Sequence, residues 1–321
     1  MSGALLEVSD LTKHFPLSGG FLGMRSRGAV RAVDGVSFQL QPARTLALVG
    51  ESGCGKTTTA KLVLRLKSPT RGTVLLEGRD VHGLTGDDVA WFRRSVQAVF
   101  QDPWSSLSPR MRVGDIVAEP LVVNGRYSKG EIKQRVAAML ERVGMQERHA
   151  ELFPHEFSGG QRQRIALAMA LITDPKLVVL DEPVSALDVS VQAQVMNLLR
   201  DLQDELQTSY LLITHDLATV RFVADDVAVM YLGEIVETAP AEELLDSPKH
   251  PYTQALFAAE LPHHPAQRRD EVPVRGEMPS PLSPPEGCRF RTRCPHVMDV
   301  CLTKPPATRL GEAHQVACHL Y

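Results

Sequence analysis

A glycine-rich stretch constrains the fold of this chain more than any other part of its sequence. It reads Gly50-Glu51-Ser52-Gly53-Cys54-Gly55-Lys56-Thr57, which has the spacing of a phosphate-binding loop. Residues 45–49 form a short apolar run before it, and residues 58–66 are compatible with a helix after it. Glycines let successive backbone N–H groups point inward, and the helix N-terminus adds its positive dipole end. The stretch therefore predicts a nucleotide site between a buried strand and a helix.

Residue types within this loop predict separate roles. Lys56 is expected to reach the β- and γ-phosphates as a point charge, and the Thr57 hydroxyl to ligate Mg²⁺. Cys54 is interpreted as a small packing residue. A turn rich in small residues is the alternative interpretation, and the loop alone does not separate GTPases, kinases, motors and transporters. The residues expected to bind nucleotide here are Gly50, Glu51, Ser52, Gly53, Cys54, Gly55, Lys56, Thr57 and Thr58.

Composition narrows the class of protein. The 321 residues are 43% hydrophobic and 23% charged, which is ordinary for a globular protein with one or two domains. A net charge of −3 gives no sign of a nucleic-acid surface, so a nucleic-acid partner is not expected. The chain has no run of about 18 apolar residues and no signal peptide over Met1–Glu7. We expect it in the cytoplasm, with any membrane role supplied by partner subunits.

The chain opens with a β-rich region. Residues 6–8 and 33–40 are predicted strands, and the glycine-containing segment 17–28 is a predicted loop between them. Phe15 lies where the chain leaves its first strand, so its ring could stack on an adenine face. A phenylalanine packed in the core is the equal alternative.

Polar side chains follow two predicted strands. The run 95–100 ends at Gln101, and the run 177–180 ends at Asp181 and Glu182. Buried parallel strands deliver such residues to the carboxyl edge of a sheet. Gln101 is expected to reach a metal or water beside the γ-phosphate, Asp181 to hold Mg²⁺ through water, and Glu182 to act as general base. For Gln101 alone, an ordinary polar loop residue is the alternative.

A further predicted strand, residues 211–214, ends at His215. This imidazole would reach the same edge of the sheet, although a histidine at a strand end is more often structural. Residues 185–188 lie between the two strands as a turn and a helix start.

Residues 113–170 have apolar positions at helical spacing and predict a helical insert. It contains Ser158-Gly159-Gly160-Gln161, in which Ser158 is a suitable N-cap and the glycines leave the backbone bare. This second anion-binding helix start carries no lysine of its own. It would complete a site for a nucleotide held mainly by another surface. An ordinary capped helix is the alternative.

Together these segments resemble an ABC-type ATPase, and most closely the F-type ATP-binding subunit of bacterial oligopeptide and dipeptide importers. The resemblance covers nearly the whole chain. Residues 101–110 and His250-Pro251-Tyr252 are similar to the peptide-importer branch. Phe157 and Ala43-Arg44 depart from common family residues without touching a catalytic position. The motifs that match in order are the phosphate loop, Gln101, Ser158-Gly159-Gly160-Gln161, Asp181-Glu182, Ser185-Ala186-Leu187-Asp188 and His215.

The resemblance implies an α/β fold of the P-loop NTPase class. Residues 1–248 would form the ABC ATPase domain with a helical subdomain at about 104–172, and residues 249–321 a C-terminal extension. It also implies a head-to-tail dimer in which residues 158–161 of one subunit contact the γ-phosphate bound by the other. His215 would contact that phosphate and Phe15 would stack on adenine. Since Glu182 and His215 are both present, the motifs of this chain are expected to be competent.

The same resemblance implies partners and a location. A second homologous ATPase subunit, two transmembrane permease subunits and an extracytoplasmic solute-binding protein would complete an importer, with this chain on the cytoplasmic face of the inner membrane. The cofactors would be ATP and Mg²⁺. A related importer for nickel, glutathione or a peptide antibiotic is the first alternative. A soluble ABC ATPase acting on DNA or ribosomes is the second, but such chains usually carry two ATPase cores or a long coiled coil, and neither is found.

Beyond Pro240 the sequence becomes rich in proline, and no packed helix is expected there. Four of the five cysteines gather in this tail. Disulfides are disfavoured in a reducing compartment. Zinc could be held by four thiolates, or with His296, His314 or His319 substituting for one of them, but the cysteine spacing lacks the close pair that is usual for structural zinc. A [4Fe–4S] cluster fits the four-cysteine count, and the resemblance favours it at Arg293-Cys294-Pro295. Unbonded thiols are the last alternative. The cluster ligands would be Cys288, Cys294, Cys301 and Cys318.

Overall fold

The computed structural model describes residues 3–17, 28–102, 107–259, 276–311 and 313–321. Three predicted features lie partly outside the described residues: most of the loop at 17–28, Pro103–Ser106 of the peptide-importer motif, and Pro262, Pro265 and Pro273 of the tail. The chain forms two compact units. The P-loop unit comprises Leu5–Gln39, Leu46–His82 and Thr214–Tyr321. The helical unit comprises Met1–Ala4, Leu40–Thr45 and Gly83–Ile213.

The P-loop unit begins with a sheet of longer strands than the sequence predicted. Strand β1 pairs antiparallel with β4, with a bulge between Ser9 and Thr12. Strand β4 pairs antiparallel with β5, and the strand order is β2-β1-β4-β5. Phe15 therefore lies inside a strand instead of beyond its end. The four strands are β1 (Leu6–Pro16), β2 (Ala29–Leu40), β4 (Arg71–Leu76) and β5 (Arg79–Asp80).

A second group of strands in the P-loop unit carries the nucleotide loop. Strand β3 lies parallel to β9, and β9, β10, β12 and β11 follow as antiparallel neighbours. Helix α1 (Lys56–Val63) begins directly after the loop, as the sequence predicted. The strands are β3 (Thr45–Val49), β9 (Asp226–Tyr231), β10 (Glu234–Pro240), β11 (Ala307–Arg309) and β12 (Gln315–Ala317).

The expectation of no packed helix beyond Pro240 is wrong. Helices α8 (Ala241–Asp246) and α9 (Pro251–Ala258) both bury apolar side chains. Helix α7 (Leu217–Val223) precedes them. The ring centroid of Tyr252, in α9, lies 4.5 Å from that of Tyr231 and 5.5 Å from that of Phe290. The aromatic side chains of the tail thus pack against Tyr231 of β9, a residue far from them in sequence.

The helical unit contains three parallel strands in the order β8-β7-β6. They are β6 (Val96–Val99), β7 (Leu177–Asp181) and β8 (Ser209–Thr214). Every residue of β7 and β8 is buried, as expected for parallel strands covered on both faces. Predicted and observed strands agree here because a short apolar run followed by a polar residue is a strong local signal.

Helices cover most of the remaining helical unit, in agreement with the predicted α/β fold and its helical insert. Ser128 and Glu131 form a capping box at the start of α4 (Lys129–Arg142). The Ser128 side chain accepts from the Glu131 backbone N–H, and the Glu131 side chain accepts from the Ser128 backbone N–H. In the described part of the chain, every helix is too short or too polar to cross a membrane. The helices are α2 (Asp87–Ser95), α3 (Val113–Asn124), α4 (Lys129–Arg142), α5 (Gly159–Leu171) and α6 (Val189–Leu206).

Candidate nucleotide site and cysteine cavity

Two glycines of the phosphate loop occupy positions that no other residue fits. Gly50 has φ 150° and Gly55 has φ 116°, both in the region that favours glycine. A Cβ on Gly50 would lie 2.2 Å from the carbonyl oxygen of Met230. A Cβ on Gly55 would lie 2.2 Å from the carbonyl oxygen of Ala32. The loop is therefore pressed against neighbouring backbone, which fixes its curl.

Lys56 is buried and bonded to its own loop. Its Nζ atom donates to the carbonyl oxygen of Gly50 at 2.6 Å and to that of Glu51 at 3.1 Å. Burial raises the pKa of the Cys54 thiol although the Lys56 ammonium acts in the opposite direction, so Cys54 remains a neutral packing residue. Four other residues of the loop are exposed or half-buried: Ser52, Gly53, Thr57 and Thr58.

Glu51 has two partners that sequence reasoning missed. The Nη1 atom of Arg293 lies 3.1 Å from one carboxylate oxygen of Glu51 and 3.2 Å from the other. The backbone N–H of Glu51 donates to the Tyr252 hydroxyl at 2.8 Å. The sequence placed Tyr252 in a family-like motif and Arg293 beside a cysteine, but no local pattern indicated that either residue meets the phosphate loop.

The helical unit brings Gln101 and Glu182 together. Asp181 is the buried last residue of β7, and Glu182 follows with φ 49°. The Nε2 atom of Gln101 donates to Oε2 of Glu182 at 2.6 Å, while the Glu182 backbone N–H donates to the Ile213 carbonyl at 2.8 Å. Seven other non-glycine residues in the described part of the chain also have positive φ, so the hydrogen bond with Gln101 is the feature that distinguishes Glu182.

The predicted anion-binding helix start is a complete capping box. The Ser158 backbone N–H donates to Oε1 of Gln161 at 3.0 Å, and the Gln161 backbone N–H donates to the Ser158 hydroxyl at 3.4 Å. Ser158, Gly159 and Gln161 are exposed. Gly160 is buried, and a Cβ there would lie 2.3 Å from Cγ1 of Val191. The helix start is thus held by α6 on one side and open on the other.

The turn at 185–188 is tied to the residue that follows β7. The Ser185 hydroxyl donates to the Glu182 carbonyl at 3.2 Å. Asp188 caps α6 by accepting from the Val191 backbone N–H at 3.0 Å. Hydrogen bonds from the Ser190 side chain and the Val191 backbone lower the pKa of Asp188.

Two predicted nucleotide contacts belong to the P-loop unit. His215 is exposed directly after Thr214, and the neighbouring Asp216 caps α7. Phe15 is half-buried near the end of β1, with the Lys13 Nζ atom 5.3 Å from its ring centroid. An accessible ring at this position is compatible with stacking on a base. The roles of both residues remain predictions.

The four tail cysteines line one cavity, together with His250. All are free thiols, which argues against the disulfide alternative. Burial raises the pKa of Cys288 to about 11, and it also raises the pKa of Cys294 and of Cys318. Among the described residues, no group of three or more His, Cys, Asp or Glu side chains is arranged to hold a single metal ion. The four thiols thus share a cavity, but they are not arranged around a single ion.

Comparisons with known proteins agree with this geometry. Residues 33–185 match the family described as ABC transporter, and residues 236–301 match the family described as oligopeptide/dipeptide transporter, C-terminal region. The di/tripeptide transport ATP-binding protein DppF of Pseudomonas aeruginosa is 48% identical, over 98% of this chain and 97% of that protein. The oligopeptide transport ATP-binding protein AppF of Bacillus subtilis is 46% identical, over 99% of this chain and 97% of that protein.

Among solved structures, a dimeric ATP-binding cassette in a post-hydrolysis state, bound to ADP and Pi, superposes with a TM-score of 0.64 at 26% identity. The match covers 74% of this chain and 98% of that one. The phosphate loop, the capped helix start and the acidic strand end are the parts that the sequence predicted for such a fold. With identity of this level over nearly its full length, the chain belongs to the ABC transporter family, as an ATP-binding protein of the oligopeptide and dipeptide branch.

Proposed function

We propose that this chain hydrolyses ATP to power the import of dipeptides and oligopeptides through an ABC transporter in the cytoplasmic membrane. The proposed class of cargo rests on the match of residues 236–301 to the C-terminal region of oligopeptide/dipeptide transporters. An ABC ATPase core alone would not indicate a cargo, because one core serves many transporters. The named transport roles of the relatives support the same class.

In the P-loop unit, Lys56 is the proposed partner of the β- and γ-phosphates. Binding would exchange its present bonds to the carbonyls of Gly50 and Glu51 for bonds to phosphate oxygens. Thr57, exposed at the start of α1, is a proposed Mg²⁺ ligand. His215 is the proposed γ-phosphate contact and Phe15 the adenine-stacking ring.

In the helical unit, Glu182 is the proposed general base, and Asp181 and Gln101 are proposed Mg²⁺ ligands. Oxygen-donor side chains of this kind suit Mg²⁺, and when bound the ion neutralises charge that develops on the phosphates. The hydrogen bond from Gln101 restrains the Glu182 carboxylate, which supports a role in orienting the attacking water.

The exposed capped start of α5 supports a dimeric mechanism. Ser158, Gly159 and Gln161 are open to solvent, and a helix N-terminus favours negative charge. We propose that Ser158, Gly159, Gly160 and Gln161 contact the γ-phosphate held by a second ATPase subunit. The dimeric state of the solved relative bound to ADP and Pi supports this arrangement.

The proposed assembly contains this chain, a second homologous ATPase subunit and two transmembrane permease subunits. A solute-binding protein would deliver cargo from outside, and this chain would sit on the cytoplasmic face of the inner membrane. Residues 1–248 are the proposed ATPase domain, with the helical subdomain at about 104–172 docking the permease, and residues 249–321 are the proposed extension.

The four tail cysteines line one cavity, and their number together with the family resemblance favours a [4Fe–4S] cluster over a zinc ion, since a cluster of this kind is held by four thiolates. We propose Cys288, Cys294, Cys301 and Cys318 as the cluster ligands; the bound cluster would crosslink the tail.

One purification tests the assembly and the tail together. The tagged chain, expressed with its neighbouring transporter subunits and prepared anaerobically from membranes, is expected to bring down two multi-spanning proteins and a second ATPase. Di- and tripeptides should stimulate its ATPase activity in vesicles containing the binding protein. Recovery of ribosomes or DNA instead would contradict the transport role. Iron and sulfide should be present and should fall in Cys294→Ser, whereas zinc alone would contradict the cluster.

A further inference from the structure

The C-terminal extension reaches the phosphate loop through two side chains, Arg293 and Tyr252. Both contact Glu51, the second residue of the loop, and both are distant from it in sequence. The Arg293 guanidinium bonds the Glu51 carboxylate through Nη1, at 3.1 and 3.2 Å from its two oxygens. The Tyr252 hydroxyl accepts the Glu51 backbone N–H at 2.8 Å. One residue of the loop is thus held at its side chain and at its backbone.

The negative charge of Glu51 is unfavourable next to a bound triphosphate. Its carbonyl oxygen accepts from Nζ of Lys56 at 3.1 Å, so its peptide lies within the loop that would surround the phosphates. A carboxylate on that loop repels a triphosphate unless a cation neutralises it. Arg293 supplies that cation: its side chain is only 12% exposed, which limits screening by water.

The segment that carries Arg293 is fixed independently. Arg289, four positions earlier and 7% exposed, bonds the carboxylate of Asp34 and the backbone carbonyl of Leu232. Burial raises the pKa of Asp34, but the hydrogen bond and charge of Arg289 outweigh it and hold this pKa below its ordinary value. The guanidinium of Arg293 also lies 6.0 Å from the ring centroid of Phe290. Arg293 is therefore presented to Glu51 by a rigid part of the tail.

Tyr252 is fixed in a similar way. It lies in the first turn of α9, where the Nδ1 atom of His250 accepts its backbone N–H at 3.0 Å. Its ring is buried against Tyr231 and Phe290. The hydroxyl therefore has a defined position, and its bond to Glu51 constrains the backbone where the loop leaves β3.

We propose that Arg293 and Tyr252 are positioning residues of the ATP site, Arg293 neutralising Glu51 and Tyr252 anchoring its backbone. The C-terminal extension then acts as a part of the nucleotide site. This inference rests on the proposed binding of ATP at the loop. It requires no metal in the cysteine cavity.

The test measures dissociation constants of the full-length chain for the non-hydrolysable ATP analogue AMPPNP and for ADP, both with Mg²⁺. Arg293→Gln should weaken AMPPNP binding by about three- to tenfold, the scale of one charge-assisted hydrogen bond partly transmitted to the ligand. ADP, which carries less negative charge, should lose less. Arg293→Lys keeps the charge and should stay within about threefold of the original chain. Arg309→Gln, on an exposed arginine of the same tail, is the matched control.

A second substitution separates the effect of the Arg293 charge on nucleotide binding from its effect on the structure of the loop. Adding Glu51→Gln to Arg293→Gln removes the unpaired carboxylate, so AMPPNP affinity should return to within about twofold of the original. Tyr252→Phe removes only the hydroxyl and should weaken AMPPNP and ADP equally, with no recovery on adding Glu51→Gln. In the intact transporter, Arg293→Gln should raise KM for ATP and leave kcat unchanged.

Three results would overturn the proposal. One is an Arg293→Gln chain with unchanged Tm and unchanged AMPPNP affinity. Another is a double variant that binds as weakly as Arg293→Gln alone, which indicates a structural role only. The third is an equal loss of AMPPNP and ADP binding in Arg293→Gln. If the unsubstituted chain itself binds neither nucleotide, the proposed ATPase function fails instead, so the two failures are distinguishable.

Discussion

The Nε2 atom of Gln101 donates a 2.6 Å hydrogen bond to the Glu182 carboxylate. Gln101 follows β6 and Glu182 follows β7, and these parallel strands are neighbours. The bond therefore joins two adjacent strand ends at the carboxyl edge, where open α/β sheets place their chemistry. Glu182 is therefore tied to a neighbouring strand end, unlike a surface glutamate that only extends into solvent.

Glu182→Gln should abolish turnover and preserve nucleotide binding. The amide keeps the size of the side chain but cannot accept a proton from water, so kcat should fall by about 100-fold or more. Phosphate release by the assembled transporter measures turnover, and AMPPNP binding measures the site. Glu205→Gln, on an exposed glutamate of α6, is the control. Normal turnover in Glu182→Gln would remove the proposed base.

Gln101→Ala should lower kcat less than the loss of the base. The carboxylate of Glu182 would keep its charge but lose the restraint on its direction, and a misplaced catalytic group costs up to about 100-fold. We expect a loss of about tenfold or more with little change in KM for ATP. Gln97→Ala, on a half-buried glutamine that bonds the Arg93 carbonyl, is the comparison. An equal effect of the two substitutions would show that the contact with Glu182 is unimportant.

Gly160→Ala should disturb the capped helix start, because its Cβ would lie 2.3 Å from Cγ1 of Val191. Val191 is β-branched and lies in α6, so it has little freedom to turn away. We expect a loss of about 1–3 kcal/mol in the free energy of unfolding, measured with denaturant. Gly159→Ala meets only Leu187 at 3.4 Å and should be nearly neutral for stability. Adding Val191→Ala should recover the loss; failure to recover it would point to another cause.

His314→Gln should loosen the last strand of the chain. Both ring nitrogens of the buried His314 face carboxylates: Nε2 lies 2.8 Å from Glu237 and Nδ1 lies 2.7 Å from Glu243. A glutamine cannot serve both, which leaves a buried carboxylate short of a partner and costs about 3 kcal/mol. Hydrogen exchange should accelerate at residues 315–317, with the exposed His296→Gln as control. Unchanged protection there would show that this hydrogen-bond network does not hold β12.

Local patterns in the sequence predicted the parts of the fold that are local in the chain. The strand 45–49, the loop after it and the strand ending at Asp181 are each specified by about ten consecutive residues, so periodicity and glycine spacing were enough. The capped start at Ser158 was visible for the same reason. The family resemblance then assigned roles that the local chemistry only made plausible, and those roles remain to be measured.

Contacts between distant residues could not be predicted in this way. Arg293 and Glu51 are 242 positions apart, and neither residue type is unusual in its surroundings. The helices beyond Pro240 were missed because the later prolines dominated the composition of the whole tail. Likewise, the cysteine count indicated a cluster, but only the fold shows that the four thiols share one cavity.

Strand β12 pairs with the otherwise open side of β10 through Glu237–Val316 and Thr238–Gln315. An uncovered strand edge is a template for aggregation, because its free N–H and C=O groups recruit other chains. Shortening the protein ahead of residue 315 to obtain a minimal ATPase would uncover that edge. Preparations of such a fragment are expected to precipitate, so poor solubility of a truncated form says nothing about whether its nucleotide chemistry is intact.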